Sequence, residues 1–114
     1  MGRVSPNNGR QTLITATTSG GAQTLHTATN DVSVGGSQRQ DEVTIVATNS
    51  DSVERALTVM WGGADAADYM LFPCPPAETR LTVDRHLIGG GLSVKAFAST
   101  ASVISVYLEV GNNS

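Results

Sequence analysis

Apolar residues alternate with polar residues along most of the chain. In residues 41–49 the order is Asp-Glu-Val-Thr-Ile-Val-Ala-Thr-Asn, so Val43, Ile45 and Ala47 fall on one side of an extended backbone. A period of two is typical of a strand with one buried face. Thr, Ser, Val and Gly are frequent and strong helix formers are scarce, which favours strands and turns over helices. The pattern therefore predicts an all-β chain.

Glycines, prolines and polar clusters divide this pattern into short strands. The predicted strands are residues 11–18, 23–28, 41–49, 55–61, 69–72, 79–84, 92–98 and 103–110. We expect the first two strands to form a hairpin that opens the chain, and the last two to form a hairpin that closes it. Asp51 and Glu54 have the spacing of a helix capping box, so a short helix after the third strand is the alternative there.

This strand spacing predicts a single-domain β-sandwich of jelly-roll or Greek-key type. Residues 1–12 are predicted to be an extended N-terminal arm, residues 13–110 the sandwich, and residues 111–114 a flexible C-terminal tail. Each aliphatic side chain buried in the core contributes about 1.5–3 kcal/mol, which barely offsets chain entropy at this size. Assembly would therefore add stability. The alternation assigns the following residues to the inner faces: Val43, Ile45, Ala47, Leu57, Val59, Leu81, Val83, Leu92, Val94, Ala96, Ile104, Val106 and Leu108.

Two aromatic residues fall out of phase with this inward set. Phe97 follows Ala96, and Tyr107 lies between Val106 and Leu108. If the last two strands form a hairpin, both rings leave the same outer face, near Lys95 and Glu109. Exposed aromatic rings are typical of interfaces, because they bury much area at low entropic cost. Either a partner protein or the N-terminal arm covers them, and the sequence leaves both open.

The charge of the chain limits the classes of partner that we expect it to bind. Only 15 % of the residues are charged and the formal net charge is −3. Without a basic footprint to neutralise phosphates, nucleic acid is not an expected partner. Neither a signal-peptide stretch nor a run of about 18 apolar residues occurs, so we expect synthesis in a cytoplasm without export and no membrane partner.

No group of residues in the sequence predicts catalysis, and we expect neither a metal nor a cofactor. Asp41 and Glu42 are adjacent in a strand and must point to opposite faces, so they cannot act together. His26 and His86 are far apart and lack metal-ligand spacing. Cys74, the single cysteine, excludes an intrachain disulfide and is expected to be a packing or bystander thiol.

Two further features have weak alternatives. Asp65 and Asp68 are expected to be solvated loop charges, although with backbone carbonyls they could hold calcium. Trp61 precedes a Gly-Gly turn and is expected to plug one end of the sandwich. If Trp61 and Tyr69 instead formed a stacking surface beside a calcium site, the chain would be a carbohydrate-binding module.

The order of segments from residue 41 to residue 110 resembles small virion structural proteins of tailed phages. The resemblance rests on Asp-Glu-Val-Thr-Ile-Val-Ala-Thr-Asn at 41–49, Ala-Leu-Thr-Val-Met-Trp-Gly-Gly at 56–63, the prolines at 75 and 76, and a closing pair formed by residues 90–98 and 102–107. The C-terminus departs from the pattern, because Glu-Val-Gly-Asn-Asn-Ser stands at 109–114 where that family would have a basic end.

The resemblance implies a non-enzymatic capsid decoration (cement) protein on the outer surface of the virion. Its expected partners are the major capsid protein and further copies of itself, as a dimer or trimer. The alternative within a phage is a neck, collar or tail component. We expect the arm to lie along a neighbouring subunit, where Arg3 and Arg10 would bind carboxylates. The remaining predicted interface residues are Trp61, Tyr69, Phe97 and Tyr107.

Overall fold

The computed structural model describes residues 3–5, 9–29 and 40–113. Its regular elements are strands, apart from one 3₁₀ turn at Ala66–Asp68. The prediction of an all-β chain is therefore confirmed. The strands are β1 (Arg3–Val4), β2 (Thr12–Ile14), β3 (Gln23–Thr27), β4 (Gln40–Asn49), β5 (Arg55–Trp61), β6 (Tyr69–Cys74), β7 (Glu78–Gly89), β8 (Ser93–Ala98) and β9 (Ile104–Asn113).

These strands form two antiparallel sheets that pack face to face. Sheet A has the order β1-β9-β4-β7, with β2 pairing beside β1 on the same side of β9. Sheet B has the order β3-β8-β5-β6. The inward side chains of both sheets meet in one continuous core. The predicted β-sandwich is confirmed.

Most sequence neighbours lie in different sheets. The predicted opening hairpin is wrong, because β2 pairs with β9 whereas β3 pairs with β8. The predicted closing hairpin is also wrong, because β8 lies in sheet B and β9 in sheet A. The chain crosses from one sheet to the other at both places. Alternation identifies the buried side of a strand, but both connections are compatible with it.

Three strands run beyond their predicted ends. β6 continues through Pro73, which an edge strand tolerates because no neighbour needs its missing N–H. β7 continues to Gly89. β9 continues to Asn113, into the segment predicted as a tail from residue 111. The alternative helix after β4 does not form, and the Asp51 carboxylate instead accepts a 2.8 Å hydrogen bond from Arg55 Nε.

The core contains most of the predicted inward residues, with two exceptions. Leu81 is 56 % exposed and Leu92 is 49 % exposed, so their assignment to the core is wrong. In β7 the register slips by one residue: Val83 faces Ile45, yet Leu81 faces Val46. This bulge turns Leu81 outward while Val83 stays buried. Leu92 precedes β8 in the turn closed by its N–H on the carbonyl of Gly89, at 3.2 Å.

The folded chain closes its core without a partner. Its accessible surface is 6069 Å². The scaling law for monomeric folded proteins gives about 5,900 Å² at this mass. The sandwich therefore has the compactness of a monomer, and any partner would bind surfaces that the fold leaves outside.

One buried polar side chain joins the two sheets. Asn49, at the end of β4, is fully buried. Its Nδ2 donates at 2.9 Å to the carbonyl of Val53 and at 2.9 Å to the carbonyl of Cys74, which ends β6. Its Oδ1 accepts from the N–H of Asp51 at 3.0 Å. The side chain thus bonds to backbone groups of the turn after β4 and of the end of β6.

Replacing Asn49 should be costly. Asn49→Ala removes these hydrogen bonds from a fully buried position, where each unsatisfied group costs about 1–3 kcal/mol, and we expect the free energy of unfolding to fall by about 3 kcal/mol in chemical denaturation. The matched control is Ser50→Ala, since Ser50 is exposed and its hydroxyl duplicates a bond that its own N–H makes to Val103. Equal losses in the two variants would contradict this role of Asn49.

Candidate functional site

The outer face of sheet B carries an apolar cluster formed by Met60, Tyr69, Leu71 and Phe97, here called the sheet B cluster. The rings of Tyr69 and Phe97 meet edge to face, with centroids 5.9 Å apart. Met60 lies opposite Tyr69 in the ladder and is only 2 % exposed. Leu71 is the prominent member, because it is 71 % exposed on the edge strand β6. Aromatic rings beside an exposed aliphatic residue are typical of an interface core.

Phe97 and Tyr107 both leave the core side of their strands, as predicted. They do not share a face, however, since β8 belongs to sheet B and β9 to sheet A. The prediction that they project from one side is therefore wrong, for the reason that makes the closing hairpin wrong. The two sides of the sandwich consequently carry outward aromatic rings separately, Tyr69 and Phe97 on sheet B and Tyr107 on sheet A.

The outer face of sheet A carries an apolar row that runs across the strands. Val46 in β4 stands directly opposite Tyr107 in β9 on one side and Leu81 in β7 on the other. Leu13 in β2 is 46 % exposed and lies beside this row, opposite Ser105, which is the next outward residue of β9 before Tyr107. We call Tyr107, Val46 and Leu81 the sheet A stripe. Sequence analysis missed it, because the β7 bulge that turns Leu81 outward has no signal in the alternation.

The two sides of the sheet A stripe differ in chemistry. One side is a row of hydroxyls: Ser105 faces Thr48, and the hydroxyl oxygens of Thr48 and Thr79 are 2.9 Å apart. The other side is charged. There Glu109 and Arg85 line a hollow of about 390 Å³ that borders Leu81. The face is therefore neutral along one margin and ionic along the other.

The ionic margin is built around a second register shift of β7, which lies between the pairs Val43–His86 and Ile45–Val83. Arg85 has a left-handed backbone, with φ of 56°. Its N–H donates to the Thr44 hydroxyl at 3.2 Å, and its guanidinium contacts Glu42 Oε1 at 3.3 Å. Glu42 therefore lies on the outer face, as predicted from its adjacency to Asp41. The outward Arg85–Glu42 pair fixes the shape of this margin.

The described sheet edges are poorly suited to adding another strand. β7 is bulged, β3 has a register shift between Thr24 and His26, and β6 contains Pro73. On the remaining edge β1 and β2 are only two and three residues long. Bulges, proline and short strands all hinder pairing between separate chains. Contacts with partners are therefore expected through faces.

Trp61 lies at one end of the sandwich, where it packs partly buried against the core. Its Nε1 donates to the carbonyl of Leu87 at 3.2 Å, and its ring meets His86 edge-on with centroids 5.7 Å apart. Trp61 thus closes an end, as predicted. It does not share a surface with Tyr69, because Tyr69 faces the adjacent residue Met60 on the other side of the sheet.

Arg3 and Arg10, the two arginines of the predicted arm, lie at different places along the N-terminal segment. The backbone of Arg3 pairs with Gly111 of the same chain in β1, while its side chain lies outside the described residues. Arg10 is exposed between β1 and β2. The described parts of residues 1–12 therefore follow their own β9. Contact with a neighbouring subunit stays a prediction.

A buried carboxylate and a histidine meet between the sheets. His26 Nε2 lies 2.7 Å from Asp41 Oδ2, and Asp41 also accepts 3.1 Å bonds from the N–H and hydroxyl of Thr29. Burial alone would raise the pKa of Asp41. The hydrogen bonds from His26 and Thr29, with the attraction of His26, outweigh it and hold that pKa below 3.8. Sequence analysis missed this contact.

The other candidate groups are separate from this pair. The Asp68 N–H donates to the Asp65 carbonyl at 2.9 Å, which closes the 3₁₀ turn. Cys74 is buried, and burial raises the pKa of its thiol. Within residues 3–5, 9–29 and 40–113, no three His, Cys, Asp or Glu side chains are grouped as metal ligands. No helix suited to crossing a membrane occurs in the described part of the chain.

No family model matches the chain, and no significant similarity is found to a curated protein or to a solved structure. Geometry and chemistry therefore carry the functional argument. The two outer faces, with the sheet B cluster and the sheet A stripe, are its main evidence.

The Asp41 pair generates a pH prediction. A carboxyl whose folded-state pKa lies below 3.8 stabilises the fold fully above that pH, and the contribution is lost as the pH falls through the folded-state pKa. Asp41→Asn should be less stable than the wild type at neutral pH, by about 1–3 kcal/mol. The stability gap should shrink as the pH falls below 3.8, measured by urea denaturation across the acid range. A gap that stays constant would contradict the prediction.

Proposed function

We propose that the chain is a capsid decoration protein of a tailed phage, which binds the outside of the assembled shell through the outer face of sheet B. The observation that carries the proposal is the sheet B cluster: Leu71 is 71 % exposed beside the paired rings of Tyr69 and Phe97. A chain with only five aromatic residues places two of them together there. Such a surface lowers its free energy when another protein covers it.

The strand pairing supports a virion role. The first half of the sandwich pairs with the second half in reverse order: β2 with β9, β3 with β8, β4 with β7, and β5 with β6. A ribbon paired in this order and then wound into two sheets is the plan of a jelly roll. Jelly rolls are common in viral capsid and lectin domains. The pairing thus agrees with the resemblance to tailed-phage structural proteins.

The chemistry of the sheet B face fits a protein partner better than a sugar. Thr58, which is buried, lies between Leu71 and Phe97 within the cluster, and the polar Lys95 borders the cluster opposite Met60. A carbohydrate site would need Trp61 and Tyr69 on one platform, but they lie on opposite sides of sheet B. An apolar centre with a polar surround is the usual organisation of a protein interface. The major capsid protein is the partner of that kind that the family resemblance implies.

The test is co-sedimentation of the purified chain with undecorated shells. Wild-type chain at micromolar concentration should pellet with the shells. Leu71→Asp should weaken binding at least about tenfold, because the variant would bury a carboxylate in an apolar interface.

The matched control is Val53→Asp, which makes the same kind of exchange at an exposed position in the loop after β4. Val53 is 47 % exposed and lies in neither apolar set. The Val53→Asp variant should bind shells like the wild type. Absence of wild-type binding would overturn the proposal, and binding to isolated necks or tails instead would favour the neck, collar or tail alternative.

A further inference from the structure

We propose that the outer face of sheet A binds a second copy of this chain, in a two-fold dimer whose axis runs along the sheet A stripe. The inference goes beyond the proposed function, because it concerns the opposite side of the sandwich and requires no shell. Its basis is the arrangement of the stripe and its two unlike margins. Symmetry then selects both the occupant and its orientation.

The stripe is continuous and exposed. Tyr107, Val46 and Leu81 occupy directly facing positions on three neighbouring strands. Leu81 is 56 % exposed at one end of this row, and Tyr107 is partly exposed at the other. Facing side chains in a ladder are about 4.5–5.5 Å apart, so these residues form one apolar strip rather than scattered singles.

The face is large enough for a stable dimer. The three long strands β9, β4 and β7, spaced about 4.8 Å apart and with about 3.4 Å per residue along the ten residues of β4, span roughly 490 Å² before the relief of the side chains and the short strands β1 and β2 are counted. Each partner in a standard interface contributes about 800 Å². The two values are comparable, so stacking two sheet A faces would bury an area of the right order.

A second copy matches the margins of the stripe. In a face-to-face dimer the two-fold axis lies in the interface plane, and it relates identical patches. An axis along the stripe lays stripe on stripe and exchanges the two margins. The hydroxyl row of each copy then faces the ionic margin of the other. Hydroxyls both donate to carboxylates and accept from guanidinium groups, so this contact is complementary.

The alternative axis, parallel to the strands, is less favourable. It would set the ionic margin of one copy against the ionic margin of the other. Glu109 would then approach the Arg85 side of its mate, but the acidic Asp84 lies in the same hollow. The two hydroxyl rows would meet each other on one side of the stripe. On its other side the two ionic margins, each with acidic and basic groups, would meet. The axis along the stripe avoids bringing like charges together.

The described sheet edges are poorly suited to strand addition as a competing route to self-assembly. The edge beside Leu81 is the bulged strand β7, and Arg85 at its second register shift has a left-handed φ of 56°. A bulge twists an edge away and interrupts its row of free N–H and C=O groups. Face stacking leaves all these edges as they are. It therefore needs no rearrangement of the fold.

The first experiment measures the mass of the full chain by sedimentation equilibrium. The wild type should show a concentration-dependent dimer at or below about 100 µM. Leu81→Asp should weaken dimerisation at least about tenfold, whereas Val53→Asp should match the wild type. A wild type that stays monomeric at about 100 µM overturns the inference, even if it binds shells.

Two variants at one surface position test the orientation. With the axis along the stripe, Ser105 of one copy faces Glu109 of the other, since both are outward residues of β9 on opposite sides of Tyr107. Ser105→Lys should then tighten the dimer and Ser105→Glu should loosen it, each severalfold and less so at high salt. With the other axis Ser105 faces Thr79, and the two variants should behave alike, which would overturn the proposed geometry.

Shell binding separates this inference from the proposed function. Leu81→Asp should still co-sediment with shells, since its substitution lies on the other side of the sandwich. Leu71→Asp should still dimerise. Circular dichroism and thermal unfolding must show that both variants are folded. If Leu81→Asp dimerises like the wild type while folded, the sheet A face is not the self-association surface.

Discussion

The antiparallel ladder between β4 and β9 is the constraint on which the rest of the structure depends. It is continuous over ten residues of each strand, from Gln40 opposite Asn113 to Asn49 opposite Ile104. Because side chains alternate, this register sends Ile45 into the core and places Val46 against Tyr107 outside. A slip of one residue would exchange the two sets. The core and the outer apolar stripe therefore arise from one register.

Local sequence pattern determined the strands well, because alternation is a local property. The strand at 55–61 has the predicted bounds, and the inward residues of β4 are those that the pattern indicated. Pairing partners could not be read in the same way. The segment between Ala98 and Ile104 fits a hairpin or a crossing between sheets equally well, and both leave Phe97 pointing outward. The pairing of β8 with β5 and of β9 with β4 decides in favour of the crossing between sheets.

The parts of the site that sequence analysis missed depend on irregularities and on distant contacts. Leu81 and Val83 share a side in any regular strand, yet the bulge between them separates their environments. The residue with a left-handed backbone in β7 is Arg85, so no glycine in the sequence indicates this irregular position. The contact of His26 with Asp41 joins strands of different sheets across 15 residues of chain, beyond the reach of any local motif.

Regular faces and irregular edges together suit a protein that works by surface contact. An outward apolar residue costs little in the free chain when its neighbours partly cover it, as Tyr107 and Leu81 flank Val46. The same residues become favourable when a flat partner removes the remaining water. Edges, in contrast, would pair with any extended chain, and the bulges and Pro73 weaken that reaction. The fold thus directs association toward the two outer sheet faces, which point in opposite directions. A sandwich of this kind can bind one partner with one face without disturbing the other, because the closed core lies between them.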